Sequence, residues 1–309
     1  MKTYYNISLL PYNTFGIDAK AKLFIEYYSL DELRQALKEY KGEPILHIGQ
    51  GSNLLFTQDF DGIILHSGMA RARFIDDETV EAQNGLRLDD LIAQLTDMQY
   101  CGMEKLSLIP GEVGASAVQN VGAYGCEAKD VIDRVYTIDV ETLEERVFTN
   151  AECKFGYRDS AFKHELKGKY IVTSVVYKVK TGDATKTREE IIATRMAKLP
   201  AVGEVGSAGS FFMNPFVPEE QANALLTQYP DMPHFPSPQG VKIPAAWLIE
   251  QCGWKGKMLG GAQVWPKQPL VIVNADNATA QDIIDLAAQV STSVKEKFGI
   301  CISPEVNYI

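Results

Sequence analysis

Two glycine-rich stretches hold the residues whose types and spacing best suit chemistry. Residues 106–125 read L-S-L-I-P-G-E-V-G-A-S-A-V-Q-N-V-G-A-Y-G, with Glu112 as their one charged residue. Residues 47–56 read H-I-G-Q-G-S-N-L-L-F and follow a short apolar run. Small residues let a backbone approach a ligand closely, and consecutive N–H groups can form a concave nest for an anion. The two stretches predict either two loops that close on one pyrophosphate or a pair of tight turns in a β-rich domain.

Composition narrows the class of protein. The 309 residues suffice for two domains, and the formal net charge of −10 argues against a broad nucleic-acid or acidic-membrane surface. The five cysteines are scattered without a C-x-x-C pair and the four histidines do not fall at ligand spacing, so we expect reduced thiols and no metal site. No apolar run reaches the roughly 20 residues of a membrane span, and Met1-Lys-Thr-Tyr-Tyr lacks a signal-peptide pattern. We expect a cytoplasmic monomer without membrane or nucleic-acid partners.

The first ~70 residues read β-α-β-β. Ser29-Leu-Asp-Glu32 predicts a capping box at the start of a helix that Gly42 ends. The predicted strands cover 23–28, 45–48 and 63–66. Gly49 and Gly51 begin a G-x-G pattern, but no third glycine and no helical period follow, so this is not a Rossmann fingerprint.

The remaining patterns alternate between helices and strands. Apolar spacing predicts helices over 87–100, 187–198, 218–228 and 244–253, and a long helix that Thr279-Ala-Gln-Asp282 caps and Gly299 ends. Strands are predicted over 131–140, 145–149, 170–180 and 270–274, the first two as a hairpin. Residues 204–215 read as a small-residue loop and 229–244 as an irregular connection. The result is an α+β chain, β-rich before a boundary near 199–209 and a smaller α/β lobe after it.

These segments, in this order, resemble the UDP-N-acetylenolpyruvoylglucosamine reductase (MurB) family nearly end to end. The matching motifs are Asn13-Thr-Phe, Gly49-Gln-Gly-Ser-Asn-Leu-Leu-Phe, Ile109-Pro-Gly, Gln119-Asn-Val-Gly-Ala-Tyr-Gly, Gly156-Tyr-Arg-Asp-Ser, Lys198-Leu-Pro, Ala208-Gly-Ser-Phe-Phe, Asn214-Pro, Asn274-Ala-Asp-Asn and Pro304-Glu-Val. The resemblance implies a two-part FAD-binding domain of the vanillyl-alcohol-oxidase-like type plus a smaller C-terminal α/β substrate lobe. It places a βαββ FAD-binding subdomain at 1–70, a second FAD-binding α+β subdomain at 71–199 and a substrate-binding domain at 200–309, whose last strand could pack back on the FAD domain.

The resemblance implies NADPH-dependent reduction of an enolpyruvyl ether on UDP-N-acetylglucosamine through FAD, which gives UDP-N-acetylmuramate for peptidoglycan and the cell wall. Negative charge then builds beside the substrate carboxylate, so a cation and a proton donor are needed there. Arg158 matches the carboxylate-binding position, Ser210 the proton donor and Glu305 a second catalytic position. From the residues alone, Arg158 could pair with Asp159 on the surface, Ser210 could be a turn serine and Glu305 could form a terminal salt bridge.

The resemblance also implies binding residues. Those for FAD are Gly49, Gly51, Ser52, Asn53 and Leu54 in one turn, Pro110, Gly111, Gly114, Ala115, Gln119, Asn120, Gly122 and Gly125 in the other, and Arg195. Those for the UDP-sugar are Tyr157, Lys198, Asn214 and Gln268, with Lys198 and Gln268 at the diphosphate. Lys198 alone would also suit a helix C-terminus, where a cation is favoured by the helix dipole.

Two departures from the family pattern stand out. The residues 181–186, T-G-D-A-T-K, replace a longer loop that carries a tyrosine, and Asn307 stands where a basic residue often follows Glu-Val. Two other readings therefore remain at this point. One is an FAD oxidoreductase of the same fold with another substrate, and the other is a flavin- or nucleotide-binding protein without catalysis.

Overall fold

The computed structural model describes residues 1–201 and 203–309. Within them, the helices are α1 (Leu30–Glu39), α2 (Leu88–Asp97), α3 (Val113–Gln119), α4 (Thr185–Lys198), α5 (Glu219–Gln228), α6 (Ala245–Gln251) and α7 (Ala280–Phe298). The strands are β1 (Lys2–Ser8), β2 (Lys20–Tyr27), β3 (Ile45–Ile48), β4 (Leu54–Leu55), β5 (Phe60–Ser67), β6 (Ala72–Asp76), β7 (Thr79–Gln83), β8 (Tyr100–Cys101), β9 (Gly122–Ala123), β10 (Cys126–Glu127), β11 (Ile132–Asp139), β12 (Glu145–Thr149), β13 (Tyr170–Lys178), β14 (Lys180–Thr181), β15 (Gly206–Ser210), β16 (Phe216–Val217), β17 (Phe235–Ser237), β18 (Gly240–Lys242), β19 (Met258–Leu259), β20 (Ala262–Val264), β21 (Val271–Asn274) and β22 (Asn307–Tyr308).

The chain forms two compact units. The first comprises 1–12, 20–51 and 59–195, and the second comprises 13–19, 52–58 and 196–309. Two short N-terminal segments thus belong to the second unit, and the division between the units falls inside α4. The predicted boundaries at 70/71 and 199/200 mark subdomains rather than compact units, and they stay a prediction.

The first unit contains two large sheets and the two-stranded pairs β10-β9 and β14-β8. One has the order β1-β2-β5-β3, with β2, β5 and β3 parallel and β1 antiparallel at its edge. The other is antiparallel with the order β12-β11-β13-β7-β6. β2, α1, β3 and β5 match the predicted β-α-β-β order, although the unpredicted β4 lies between β3 and β5. β1 was also not predicted, because most of its side chains are exposed and show no alternation.

One of the two predicted capping boxes forms in part and the other forms completely. Ser29 accepts a hydrogen bond from Glu32 N, but the Glu32 carboxylate accepts from Tyr28 N rather than from Ser29, so the predicted capping box forms only on one side. The box at Thr279 and Asp282 is complete, and Gly299 ends α7 at a φ of 67°. That left-handed conformation is the one glycine adopts without cost.

The second unit packs α5, α6 and α7 around one apolar core with the antiparallel sheet β15-β21-β20-β19. The predicted loop over 204–215 was wrong in part, because β15 pairs with β21 there. The predicted irregular connection over 229–244 was also wrong in part, because β17 and β18 form a hairpin. β15 and β17 are short. β15 consists of small residues and β17 contains a proline, so neither shows the apolar alternation that indicates a strand. No helix among the described residues is long and apolar enough to cross a membrane.

Candidate active site

The two glycine-rich stretches contact each other in the first unit. Gly111 N donates to Gln50 Oε1 at 2.9 Å. A Cβ added to Gly49 would lie 2.9 Å from Glu112 Oε2, so a side chain at Gly49 would have to displace the end of the Glu112 side chain. Gln50 was absent from the predicted residues, and nothing but its place between two glycines could have indicated its role.

Glu112 is buried behind these turns. Its Oε1 lies 3.3 Å from His66 Nε2, and His66 Nδ1 lies 3.7 Å from Glu26 Oε1, beyond hydrogen-bond range. Burial raises the pKa of the Glu112 carboxyl, although the hydrogen bond from His66 opposes that shift. The charged residue of the long stretch therefore has a partner inside the first unit rather than in solvent.

The long stretch is not a loop throughout, which corrects the prediction. α3 occupies its centre, and Gly114 packs so closely that an added Cβ would lie 2.9 Å from Asn84 Cβ. Asn120 ends α3 at a φ of 45° and is fully buried. Because α3 consists mostly of small residues and buries residues around most of its surface, its sequence shows no amphipathic period.

The side chain of Asn120 is engaged by the protein itself. Its Nδ2 donates to Gly156 O at 2.6 Å, and its Oδ1 accepts from Lys129 N at 2.9 Å. Gln119 beside it accepts from Lys163 Nζ at 3.2 Å. These contacts tie the stretch to the segment that carries Arg158, whereas the predicted role of Asn120 and Gln119 toward a cofactor stays a prediction.

Two features of the first unit suit the diphosphate of a dinucleotide. Gly51 has a φ of 63°, the left-handed conformation that glycine adopts without cost and that an anion-binding turn of the backbone uses. Arg195 Nε is buried without a hydrogen-bond partner among the described residues. Burial lowers the pKa of its guanidinium, opposed by Tyr124. A buried donor left open in this way suits an anionic oxygen. Pro110 and Ala115 are exposed beside these residues.

Arg158 lies in a tight turn of the first unit. Gly156 and Asp159 exchange backbone hydrogen bonds of 2.9 and 3.1 Å, and Arg158 between them has a φ of 56°. Its Nη2 donates to Gly122 O in the β9–β10 hairpin, and its guanidinium lies 5.3 Å from the centre of the Tyr157 ring. Asp159 accepts from His164 Nε2 at 2.8 Å. A left-handed conformation is costly for arginine, which is a feature often found where function requires a strained residue.

The second unit brings Ser210 and Glu305 onto adjoining stretches. Ser210 ends β15 after a register shift between Ser207 and Ser210, and Gly209 within it has a φ of 69°. The next residue, Phe211, accepts a hydrogen bond from Glu305 N at 2.8 Å, and Met213 N donates to Ser303 O at 2.9 Å. Two residues that are 95 positions apart in the sequence thus lie on neighbouring main chains, and their joint catalytic role stays a prediction.

The end of the first glycine turn also belongs to the second unit. Ser52 and Asn53 lead into β4, which begins at Leu54 and pairs in parallel with β22. Asn53 O accepts from Asn307 N at 3.0 Å and from Asn307 Nδ2 at 3.2 Å. Asn307 therefore holds a main-chain carbonyl of this turn.

Three predicted substrate residues lie in the second unit. Lys198 is the exposed last residue of α4, and its carbonyl accepts from Trp265 Nε1 at 3.0 Å. Gln268 N donates to Trp265 O at 3.3 Å, so Trp265 contacts both residues. Asn214 Oδ1 accepts from Ala245 N at 2.9 Å and so caps α6. Trp265 was missed, because a single tryptophan before a proline carries no sequence signal for this contact.

The shortened region before α4 forms a tight connection. β14 pairs with β8, Gly182 N donates to Gln99 O at 2.8 Å, and α4 begins at Thr185. Three residues separate β14 from α4, so this connection itself contains no long loop. No cluster of three or more His, Cys, Asp or Glu side chains arranged for a metal ion occurs among the described residues.

Asp89 binds the main chain at the start of the long glycine-rich stretch, at Leu108, and its contribution to stability can be tested. It accepts from Arg188 Nη1 at 2.6 Å and from Leu108 N at 2.8 Å. Burial opposes the charged form, yet these bonds lower the pKa of the Asp89 carboxyl overall. Its contribution to stability is therefore present above the unfolded pKa of about 3.9 and is lost as the pH falls through the folded pKa.

We expect Asp89→Asn to lower the free energy of unfolding at pH 7 by about 1–3 kcal/mol, since a charged hydrogen bond is lost. The difference from the parent protein should shrink as the pH falls below about 4. Urea denaturation between pH 3 and 7 measures both effects. Asp90→Asn is the matched control, because Asp90 is half-exposed and 3.9 Å from Arg87 Nε. Equal losses for the two variants would contradict the prediction.

Models of known protein families match both parts of the chain. Residues 21–142 match a family model described as an FAD binding domain, and residues 201–309 match one described as the C-terminal domain of UDP-N-acetylenolpyruvoylglucosamine reductase. The chain is 47% identical over 328 residues to the UDP-N-acetylenolpyruvoylglucosamine reductase of Bacteroides fragilis (strain YCH46), with 98% of each chain covered. It is 42% identical over 332 residues to that of Flavobacterium johnsoniae, again with 98% of each covered.

A solved structure shows the same fold. The crystal structure of UDP-N-acetylenolpyruvylglucosamine reductase (MurB) from Thermus caldophilus aligns with a TM-score of 0.75 at 23% identity and covers 99% of this chain and 98% of that one. The predicted α+β class, with an FAD-binding part and a C-terminal domain, is confirmed. The chain belongs to the UDP-N-acetylenolpyruvoylglucosamine reductase family.

Proposed function

We propose that this protein reduces UDP-N-acetylglucosamine enolpyruvate to UDP-N-acetylmuramate with NADPH, as a cytoplasmic monomer that serves peptidoglycan synthesis and hence cell shape and division. The observation that carries the proposal is the adjacency of the Ser210 and Glu305 main chains in a unit that contains the matched reductase domain. Identity of 47% with a reductase over 98% of the chain supports it.

FAD, when bound, supplies the hydride chemistry that links NADPH to the enolpyruvyl double bond. The net change adds one hydride to the terminal carbon and one proton to the carbon that bears the carboxylate, while NADPH becomes NADP⁺. The Ser210 hydroxyl donates that proton and recovers one from solvent. A serine is a weak acid, so it must be held in place beside the carbon where charge develops.

Arg158 is proposed to bind the substrate carboxylate. Its planar guanidinium holds a carboxylate through two parallel hydrogen bonds and keeps its charge at any working pH. Its position is supported by the hydrogen bond to Gly122 O and by the adjacent Tyr157 ring. Glu305 is proposed to meet the same carboxylate in its protonated form and so to stabilise the charge that develops there.

The binding residues follow the same division. We propose that the two glycine turns and Arg195 hold the FAD diphosphate, and that Lys198 and Gln268 hold the diphosphate of the sugar nucleotide, with Tyr157 and Asn214 nearby. The exposed Lys198 side chain at the end of α4 is available to a soluble ligand. We also retain the proposed subdomains 1–70, 71–199 and 200–309.

The test is a direct assay on the purified protein. We expect bound flavin in the visible spectrum and NADPH oxidation that depends on the enolpyruvyl sugar nucleotide. A protein without flavin would refute every flavin-based function. Flavin that NADPH reduces but the sugar nucleotide does not reoxidise would instead indicate another substrate or a binding protein. Sedimentation of the flavin-loaded enzyme tests whether the protein is a monomer.

A further inference from the structure

The carboxamide of Asn53 contacts the main chain of Glu305. Asn53 Nδ2 donates to Glu305 O at 3.2 Å in a partly buried position. Glu305 N in turn donates to Phe211 O at 2.8 Å. Both main-chain polar groups of Glu305 therefore have partners, one from the end of the cofactor turn and one from the residue that follows Ser210.

Main-chain contacts also hold the C-terminal segment on both sides of Glu305. Pro304 pairs with Phe212, and β22, a strand of two residues, pairs with the two-residue β4. Further along, Ile309 O accepts from Thr57 N at 2.8 Å and from Thr57 Oγ1 at 2.7 Å. Such a short ladder constrains the end of the chain, whereas the Asn53 bond acts at Glu305 itself.

We propose that the Asn53 side chain is a positioning residue for Glu305, and that it aligns this residue with Ser210 for reaction of the sugar nucleotide. The inference rests on the proposed role of Glu305. In this proposal the two parts of Asn53 have different roles. The backbone N–H belongs to the cofactor turn, and the carboxamide binds the main chain of Glu305. Substitution of the side chain leaves the backbone donor in place, so the two roles can be separated.

The first variant is Asn53→Ala in the flavin-loaded enzyme. We expect flavin content and reduction by NADPH to stay at parent levels, while reoxidation by the sugar nucleotide slows about 10- to 100-fold, the cost of a small misplacement of a reacting group. Asn53→Asp keeps the shape but removes the donor, so it should show the same pattern and serves if the alanine variant does not fold. Amide hydrogen exchange over 303–309 should accelerate in both.

A double-mutant cycle with Glu305→Gln tests whether Asn53 acts through Glu305. Residues that act through one another are not additive, so Asn53→Ala should slow the Glu305→Gln enzyme far less than it slows the parent. The matched control is Thr57→Val, which removes the hydroxyl bond to Ile309 without touching Glu305. It should loosen the end of the chain and leave both half-reactions unchanged.

The outcomes separate the two claims. If Glu305→Gln reoxidises as fast as the parent, the proposed role of Glu305 fails. If Glu305→Gln is slow but Asn53→Ala matches Thr57→Val, or if the Asn53 effect is fully additive, the positioning role fails alone. Loss of flavin from Asn53→Ala and Asn53→Asp would assign the carboxamide to the cofactor and also overturn the inference.

Discussion

Ser210→Ala is expected to leave the reduction of flavin by NADPH intact and to slow its reoxidation by the sugar nucleotide by ~10² or more, because a positioned proton donor contributes at least that much. The hydroxyl is needed only after the hydride has left, when charge develops on the substrate carbon. Stopped-flow absorbance at the flavin band measures the two half-reactions separately.

Two further variants sharpen the Ser210 test. Ser207→Ala changes another serine of β15, whose carbonyl accepts from Thr14 Oγ1 at 2.6 Å, and it should reoxidise normally. Ser210→Cys keeps a proton donor and should retain more reoxidation activity than Ser210→Ala. Equal slowing of both half-reactions by Ser210→Ala would refute the assigned role, since a proton donor to the sugar nucleotide takes no part in NADPH oxidation.

Gly206→Ala is expected to destabilise the second unit by about 3 kcal/mol, at the upper end of the cost of overpacking. A Cβ there would lie 2.0 Å from Phe15 O and 3.1 Å from Asn274 Cβ. The main chain around Phe15 cannot move away easily, because Ser207 N donates to Thr14 O at 2.8 Å and Asn274 Nδ2 donates to Phe15 O at 3.1 Å. The added methyl group must therefore displace β15 or break these bonds.

Urea denaturation with the midpoint and slope of the transition measures this loss. Gly203→Ala is the comparison, because it has a φ of 85° but no atom within 4 Å of the added Cβ. Its cost should stay near the ~1 kcal/mol of a left-handed alanine. Since β15 carries Ser210, folded Gly206→Ala enzyme should also reoxidise slowly. A Gly206 variant as stable as the parent would show that the contact with Phe15 relaxes freely.

The sequence predicted the structural elements that depend on residues close together along the chain. Thr279 and Asp282 cap α7 and Gly299 ends it, because a cap depends on residues three or four positions apart. The hairpin of β11 and β12 was predicted for the same reason, since its two strands adjoin in sequence. α3 and β15 were not predicted, because small buried residues carry neither an amphipathic period nor an alternation.

By itself, the sequence determined which residue types are available: glycines for a close backbone approach, and Arg158, Ser210 and Glu305, whose proposed roles follow from the family resemblance. It did not determine which residues position these groups. Only the tertiary structure joined Asn53 to Glu305, Trp265 to Lys198 and Gln50 to Gly111. These partners lie 61 to 252 positions apart, and such contacts depend on how whole elements pack, for which a single sequence carries no local pattern.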